Sequence, residues 1–141
     1  MKVAGLTLAV VAALAACDGG AGKREASTLV DAVDRYRRAE GPSKAALGEA
    51  VSAVACTDAR VCDAKRACLA AIVPTTQALT LKDEVSRRLV ELEQQRLAPD
   101  SPEAQALPGK LDDAERLLKD GRARMTDCDA RLTDLRVAFG V

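Results

Sequence analysis

Histidine and tryptophan are absent from this sequence, and tyrosine and phenylalanine occur once each, as Tyr36 and Phe139. Without imidazole, most hydrolase triads, His-ligated metal sites and c-type haem attachment are excluded. The scarcity of aromatic rings also excludes the stacking platforms that bind single-stranded nucleic acids. Basic and acidic residues balance at 21 each, so no net charge favours nucleic acid or an anionic surface. We therefore expect no catalytic residues, no metal ligands, no cofactor and no nucleic-acid partner.

Long hydrophobic runs are also lacking, because the longest one covers only residues 3–14, interrupted by Gly5 and Thr7. A membrane-spanning helix needs about 20 apolar residues, so this run is too short to cross a bilayer. With Lys2 before it, the run has the length and flanks of a signal-peptide core. We predict a signal peptide over residues 1–16.

The apolar run ends in Leu14-Ala15-Ala16-Cys17, and this segment resembles the lipobox of bacterial lipoproteins. The resemblance implies that the Cys17 thiol receives a diacylglycerol, that a peptidase cuts before it, and that the new amino group is often acylated. Two or three acyl chains hold a protein stably on a membrane. An ordinary secretory signal is the alternative, because Ala13-Leu14-Ala15 also fits an Ala-x-Ala cleavage site. The resemblance places the body outside the cytoplasm and leaves open which membrane carries it.

The residues after Cys17 are rich in glycine and show no periodicity. This composition predicts that residues 18–24 form a flexible tether with a root-mean-square reach of about 15 Å. We assign residues 17–25 to the lipidated cysteine and its tether, and 26–141 to one helical domain. The chain of 141 residues has room for one domain only.

Apolar residues spaced three and four apart predict an all-α domain. The expected helices cover 26–39, 44–56, a segment from 59 that kinks or breaks at Pro74, 81–97, a segment from 102 that Pro108-Gly109 interrupts, and 111–139. The turn at 98–102 is strongly marked, with Ser101 as the expected N-cap of the following helix. These elements predict a small antiparallel bundle of three to four helices that includes a long helical hairpin.

The segment 111–139 carries the most regular apolar pattern of the chain, with alternating steps of three and four. Its members are Leu111, Ala114, Leu118, Gly121, Met125, Cys128, Leu132, Leu135 and Phe139. Packing within the hairpin is the first interpretation of this face, and recruitment of a partner helix or a second copy is the other. Six acid-before-base pairs at i,i+4 mark the solvated faces: Asp83–Arg87, Glu84–Arg88, Asp112–Arg116, Glu115–Lys119, Asp120–Arg124 and Asp127–Arg131.

Four cysteines remain besides Cys17, namely Cys56, Cys62, Cys68 and Cys128. An even number in an exported chain predicts disulfides, and three pairings are possible. A hairpin turning near residue 59 brings Cys56 to Cys62, and a turn near 99–100 brings Cys128 level with residue 71, close to Cys68. The second relation requires a helix that runs from about 102 without a long excursion at Pro108-Gly109, because a turn that spans 98–109 would place Cys128 opposite residue 79, away from every other cysteine. We therefore favour Cys56–Cys62 with Cys68–Cys128, followed by Cys56–Cys68 with Cys62–Cys128. Residues six apart on one helix point in different directions, which weakens Cys62–Cys68.

The functional hypothesis is a lipid-anchored, non-enzymatic lipoprotein of the cell envelope that acts as an interaction or structural module, with a possible protein contact through 111–139. The alternative is a thiol or soft-metal handling protein that uses Cys56, Cys62, Cys68 and Cys128, although their spacing matches no standard zinc motif. A third hypothesis is an enzyme that uses carboxylates such as Glu40, Glu49 and Asp58. Only the presence of acidic residues supports it.

Overall fold

The computed structural model describes residues 19–141, and every regular element in that range is a helix. Four helices and one single-turn helix follow in order: α1 (Gly19–Arg38), α2 (Ser43–Ala53), α3 (Ala59–Glu93), the single turn α4 (Pro102–Gln105) and α5 (Leu107–Phe139). The long helices α3 and α5 pack along each other as an antiparallel hairpin. The predicted all-α bundle with a long helical hairpin is confirmed.

Helix α1 lies against one half of this hairpin and runs antiparallel to α5. Its beginning meets the end of α5, since Gly22 lies beside the ring of Phe139. Its end meets an earlier part of α5, where Arg37 forms an ion pair with Asp129. Helix α2 returns the chain toward the start of α3 and packs on both α1 and α3.

The hydrophobic core is built where these four helices meet. All four helices contribute its largest fully buried side chains: Tyr36, Leu29 and Val33 from α1, Val51 from α2, Val61, Cys68 and Ile72 from α3, and Cys128, Leu132 and Leu135 from α5. This core cluster extends along α3 no further than Ile72.

Helix α1 begins at Gly19, so the flexible tether predicted for 18–24 is wrong from Gly19 onward. Contacts made by distant residues explain the difference. Glu25 accepts hydrogen bonds from the backbone N–H of Thr57 at 2.7 Å and of Asp58 at 3.2 Å. Gly22 is close to both Asp58 and Phe139. This docking holds a glycine-rich segment in a helix that its intrinsic propensity does not favour.

A kink or a break is predicted at Pro74, and the break does not occur, because helix α3 is continuous from Ala59 to Glu93. Proline removes one hydrogen bond from a helix and crowds the preceding turn. Ala71 and Ala78, on either side of Pro74, are both 0% exposed. Burial of this face on both sides of the proline offsets the missing bond.

The interruption predicted at Pro108-Gly109 occurs earlier, at Ala106, because α5 begins at Leu107 and includes both residues. Pro108 lies in the first turn, where the helix needs no backbone donor. The expected cap before it is confirmed, since Ser101 Oγ accepts from the N–H of Ala104 at 3.2 Å.

Beyond the α1–α2 turn, the hairpin continues as a two-helix arm, which we define as residues 84–111. Val85 and Leu107 are buried within it, and Lys110 of α5 forms an ion pair with Glu84 of α3. Leu89, Val90 and Leu111 stay exposed, by 45%, 45% and 40%. The arm therefore has a thin interior and a partly apolar surface.

Candidate functional site

The cysteines of the described chain form two disulfides. Cys56 in the α2–α3 loop bonds Cys62 in α3, with Cα atoms 5.1 Å apart. Cys68 of α3 bonds Cys128 of α5, with Cα atoms 4.4 Å apart. This is the first of the three pairings considered from the sequence. The predicted lipidation site, Cys17, lies outside the residues that the structure describes.

The two disulfides differ in their exposure to solvent. Cys68 and Cys128 are 0% exposed within the core, whereas Cys56 and Cys62 are half-buried. Paired cysteines indicate an oxidising environment outside the cytoplasm. Within residues 19–141, no group of three or more His, Cys, Asp or Glu side chains has the arrangement of a metal site.

The predicted apolar face of 111–139 packs mainly against α3. Ala114, Cys128, Leu132 and Leu135 are buried, and Leu118, Met125 and Phe139 are half-buried. Leu111, at the arm end of the pattern, is the exposed member. Most of this face is therefore covered within the chain itself, and the part left for a partner lies on the arm.

The three acidic residues considered as catalytic candidates lie on different elements. Asp58 caps α3 by accepting from the backbone N–H of Arg60 at 2.9 Å. Hydrogen bonds from the Arg60 side chain and backbone lower the pKa of that carboxyl below its usual value. Glu49 is exposed on α2, and Glu40 follows α1. Asp58 therefore has a structural role as a helix cap.

Ion pairs form both between elements and along single helices. Three of the expected i,i+4 pairs form, namely Asp83–Arg87, Asp120–Arg124 and Asp127–Arg131. Glu84 instead bonds Lys110 across the hairpin. Asp34 of α1 pairs with Arg136 of α5 at 3.2 Å. Together with Arg37–Asp129, this pair holds α1 along α5.

A cleft of about 440 Å³ opens where the end of α1 and the α1–α2 turn meet the middle of the hairpin. We call it the Tyr36 cleft. Its apolar wall includes Leu79, Leu118 and Met125, and its charged residues are Arg37, Glu40, Lys44 and Arg122.

Tyr36 forms part of this wall and is 1% exposed. Within the described chain, its hydroxyl and that of Thr76 are buried without a hydrogen-bond partner. Burial raises the pKa of the Tyr36 phenol above its usual 10.0, and the nearby Thr76 and Thr75 hydroxyls oppose the shift. Lys44 Nζ lies 4.9 Å from the centre of the ring.

The spacing of apolar residues places Tyr36 on the apolar face of a helix and predicts no site there. One signal in the sequence is that Tyr36 is the single tyrosine of the chain, so it brings a hydroxyl to an otherwise apolar face. A second signal is the glycine at position 48 within a predicted helix. A Cβ there would lie 3.1 Å from Ile72 and 3.3 Å from the Thr76 hydroxyl. Glycine at that position lets α2 approach the hydroxyl-bearing part of α3.

No protein-family model, curated protein or solved structure matches this chain. Among the helices of residues 19–141, none is both long enough and apolar enough to cross a membrane.

Proposed function

We propose that this chain is a lipid-anchored lipoprotein of the bacterial cell envelope, with a non-enzymatic helical body that acts as an interaction or structural module. The observation that carries the proposal is the Leu14-Ala15-Ala16-Cys17 segment at the end of the short apolar run. The two disulfides support it, because they suit a body that folds in an oxidising compartment.

The start of α1 supports a close association with the membrane surface. Helix α1 begins at Gly19, two residues after Cys17. Two extended residues span roughly 7 Å, so an anchor at Cys17 holds the beginning of α1 against the lipid headgroups. Phe139 lies at this same end of the body, with the Arg60 guanidinium 4.2 Å from its ring centre.

The arm then points away from the membrane in this arrangement. Helix α3 has 35 residues and is therefore about 52 Å long, so it carries the arm well clear of the headgroups. Leu89, Val90 and Leu111 on the arm are the large apolar side chains left exposed there. We assign the interaction role of the module to this distal surface.

Expression of the full chain in a bacterium grown with a labelled fatty acid tests the anchor. Label bound to the protein, a membrane location and an N-terminus at Cys17 are the expected results. The Cys17→Ser variant should lose the label. A soluble, unlabelled protein that still begins at Met1 would overturn the proposal, whereas a cleaved but unacylated protein would support the ordinary secretory signal.

Thiol chemistry is the second candidate function, and the half-buried Cys56–Cys62 bond is the observation that favours it. Trapping of free thiols in intact cells with a maleimide tests it. Labelling of Cys56 and Cys62, with Cys68 and Cys128 still bonded, would support a redox role. Two intact disulfides in all molecules would exclude it.

A further inference from the structure

Residues 19–25 form the beginning of α1, and we call this segment the strap. Three of its first four residues are glycine, which has a lower helix propensity than any residue except proline. The first turn of α1 contains no acidic side chain, and two basic residues, Lys23 and Arg24, follow it. The positive end of a helix dipole favours acidic side chains, so these charges also oppose the helix. The composition of the strap therefore favours an extended chain over the helix that it forms.

Contacts with distant residues hold the strap in its helix. Gly22 is buried beside Asp58 and the ring of Phe139. The Glu25 carboxylate accepts two hydrogen bonds from Thr57, one from its backbone N–H and one from its hydroxyl, each at 2.7 Å. It accepts a third from the backbone N–H of Asp58 at 3.2 Å. The strap is therefore helical because it is docked on the body.

The hydrogen bonds that dock the strap lie close to solvent. Thr57 is exposed and Glu25 is half-buried, so water can replace each partner when the strap leaves. The donor residues Thr57 and Asp58 lie within the short ring that the Cys56–Cys62 disulfide closes. This ring keeps the donors in place, so the docking site persists for the return of the strap.

The remainder of α1 is held by the hydrophobic core. Ala26, Leu29 and Val33 are 0% exposed, and Tyr36 is 1% exposed. Separating these side chains from the body would return a large apolar surface to water. Ala26 therefore marks the boundary up to which α1 can open locally while the core stays intact.

We propose that the strap is a releasable segment, which alternates between the docked helix and an extended chain while α1 from Ala26 onward stays in place. Seven residues span about 10 Å in a helix and about 24 Å when fully extended. The consequence of this change rests on the lipid anchor proposed at Cys17. With that anchor, release of the strap lets the body move up to about 14 Å further from the membrane.

Trypsin digestion under native conditions tests the proposal. The substrate is the oxidised chain from residue 17 onward, with Cys17→Ser so that it carries neither a lipid nor a free thiol. Lys23 and Arg24 are exposed trypsin sites within the strap, and a protease cuts such sites once the segment has opened. We expect cleavage there without denaturant, at a rate that depends only weakly on urea because release exposes little surface. Cleavage after the exposed Arg96, between α3 and α5, is the internal reference in each digest.

Two substitutions should shift the equilibrium of the strap in opposite directions. Glu25→Gln weakens the charge-assisted hydrogen bonds and should accelerate cleavage in the strap about five- to tenfold. Gly20→Ala raises the helix propensity, and its Cβ would lie 3.4 Å from the flexible end of Arg24, so cleavage should slow by about three- to fivefold. Glu40→Gln removes an exposed carboxylate beyond the other end of α1 and is the matched control, which should be cut as the parent protein is. Peptides of residues 17–30 with the same substitutions correct each rate for the local sequence.

Either of two results would overturn the proposal. The first is an equal corrected rate of cleavage in the parent protein, Glu25→Gln and Gly20→Ala. The second is cleavage in the strap with the same urea dependence as global unfolding, which would show that the strap opens only together with the core. Both measurements use a protein without lipid, so they stand apart from the test of the anchor. Absence of fatty acid at Cys17 would remove the change in membrane distance and leave the release of the strap unaffected.

Discussion

Gly121 of α5 lies directly against the backbone carbonyl of Ala71 on α3, where a Cβ at position 121 would approach that oxygen to 2.9 Å. A backbone oxygen in a packed helix cannot move aside as a flexible side chain can. Glycine at this position therefore sets the spacing of the two long helices near the middle of the hairpin.

We expect Gly121→Ala to destabilise the body by about 1–3 kcal/mol, because overpacking outweighs the better helix propensity of alanine. Gly109→Ala is the matched control on the same helix, since nothing lies within 4 Å of a Cβ there. That control should be neutral or slightly stabilising. Urea unfolding of both variants checks the prediction, and equal stability of the two would contradict it.

The two disulfides should differ in their contribution to stability. Cys68–Cys128 spans 60 residues and Cys56–Cys62 spans six, so the first restricts the unfolded chain more. In the loop-entropy model we expect losses of about 4 and about 2 kcal/mol when each pair is replaced by alanines. Denaturant unfolding of the two double variants measures this difference. A larger loss for the Cys56–Cys62 pair would show that loop length does not govern it.

Acid should weaken the arm through Glu84. The hydrogen bond and charge of Lys110 lower the pKa of Glu84 below its usual 4.5. The pair therefore stabilises the folded state fully above pH 4.5, and this contribution is lost as the pH falls through the lowered pKa. Glu84→Gln should be less stable than the parent at pH 7 and should lose less stability between pH 7 and pH 3.

Glu115→Gln is the control for this prediction, because Glu115 lies exposed on α5. Urea titrations of all three proteins at both pH values provide the comparison. An identical pH dependence in Glu84→Gln and the parent protein would show that the ion pair with Lys110 contributes nothing to stability.

The two ends of the apolar face on α5 should respond differently to truncation. Leu132 is 0% exposed in the core, whereas Leu111 is 40% exposed on the arm. Leu132→Ala should destabilise the body by about 2–5 kcal/mol, and Leu111→Ala by much less. Thermal unfolding checks both values, and a Leu111→Ala loss as large as that of Leu132→Ala would assign Leu111 to the core.

Sedimentation of the body tests whether the exposed end of this face binds a second copy. A concentration-dependent dimer that Leu111→Ala weakens would support self-association through the arm. A monomer at all concentrations would exclude the second-copy interpretation of the 111–139 pattern. Any partner that binds the arm would then be a different molecule.

Local periodicity predicted the hairpin because the relevant information lies within each helix. The spacing on α5 placed Cys128 and Leu132 on the face that packs against α3. In an antiparallel hairpin, residues at equal sequence distances from the turn lie opposite each other. A turn near 99–100 therefore predicts that Cys128 lies close to Cys68, as the disulfide shows. An antiparallel hairpin is one of the few arrangements in which sequence distance alone gives this relation.

Features that depend on contacts between distant segments were not predictable in the same way. The start of α1 at Gly19 depends on Glu25 meeting the N–H of Thr57 and on Gly22 meeting Phe139. The continuity of α3 through Pro74 depends on its packing along α5. The Tyr36 cleft depends on where the α1–α2 turn lies against the hairpin, which no pattern within one helix encodes.

The bond between Cys68 and Cys128 also determines what happens when the backbone is cut. The connection between α3 and α5, around residues 94–100, is exposed and is therefore open to a protease. Cleavage there would leave two fragments that stay covalently joined across the middle of the hairpin. On a denaturing gel, the nicked protein should migrate as one species until a reductant is added.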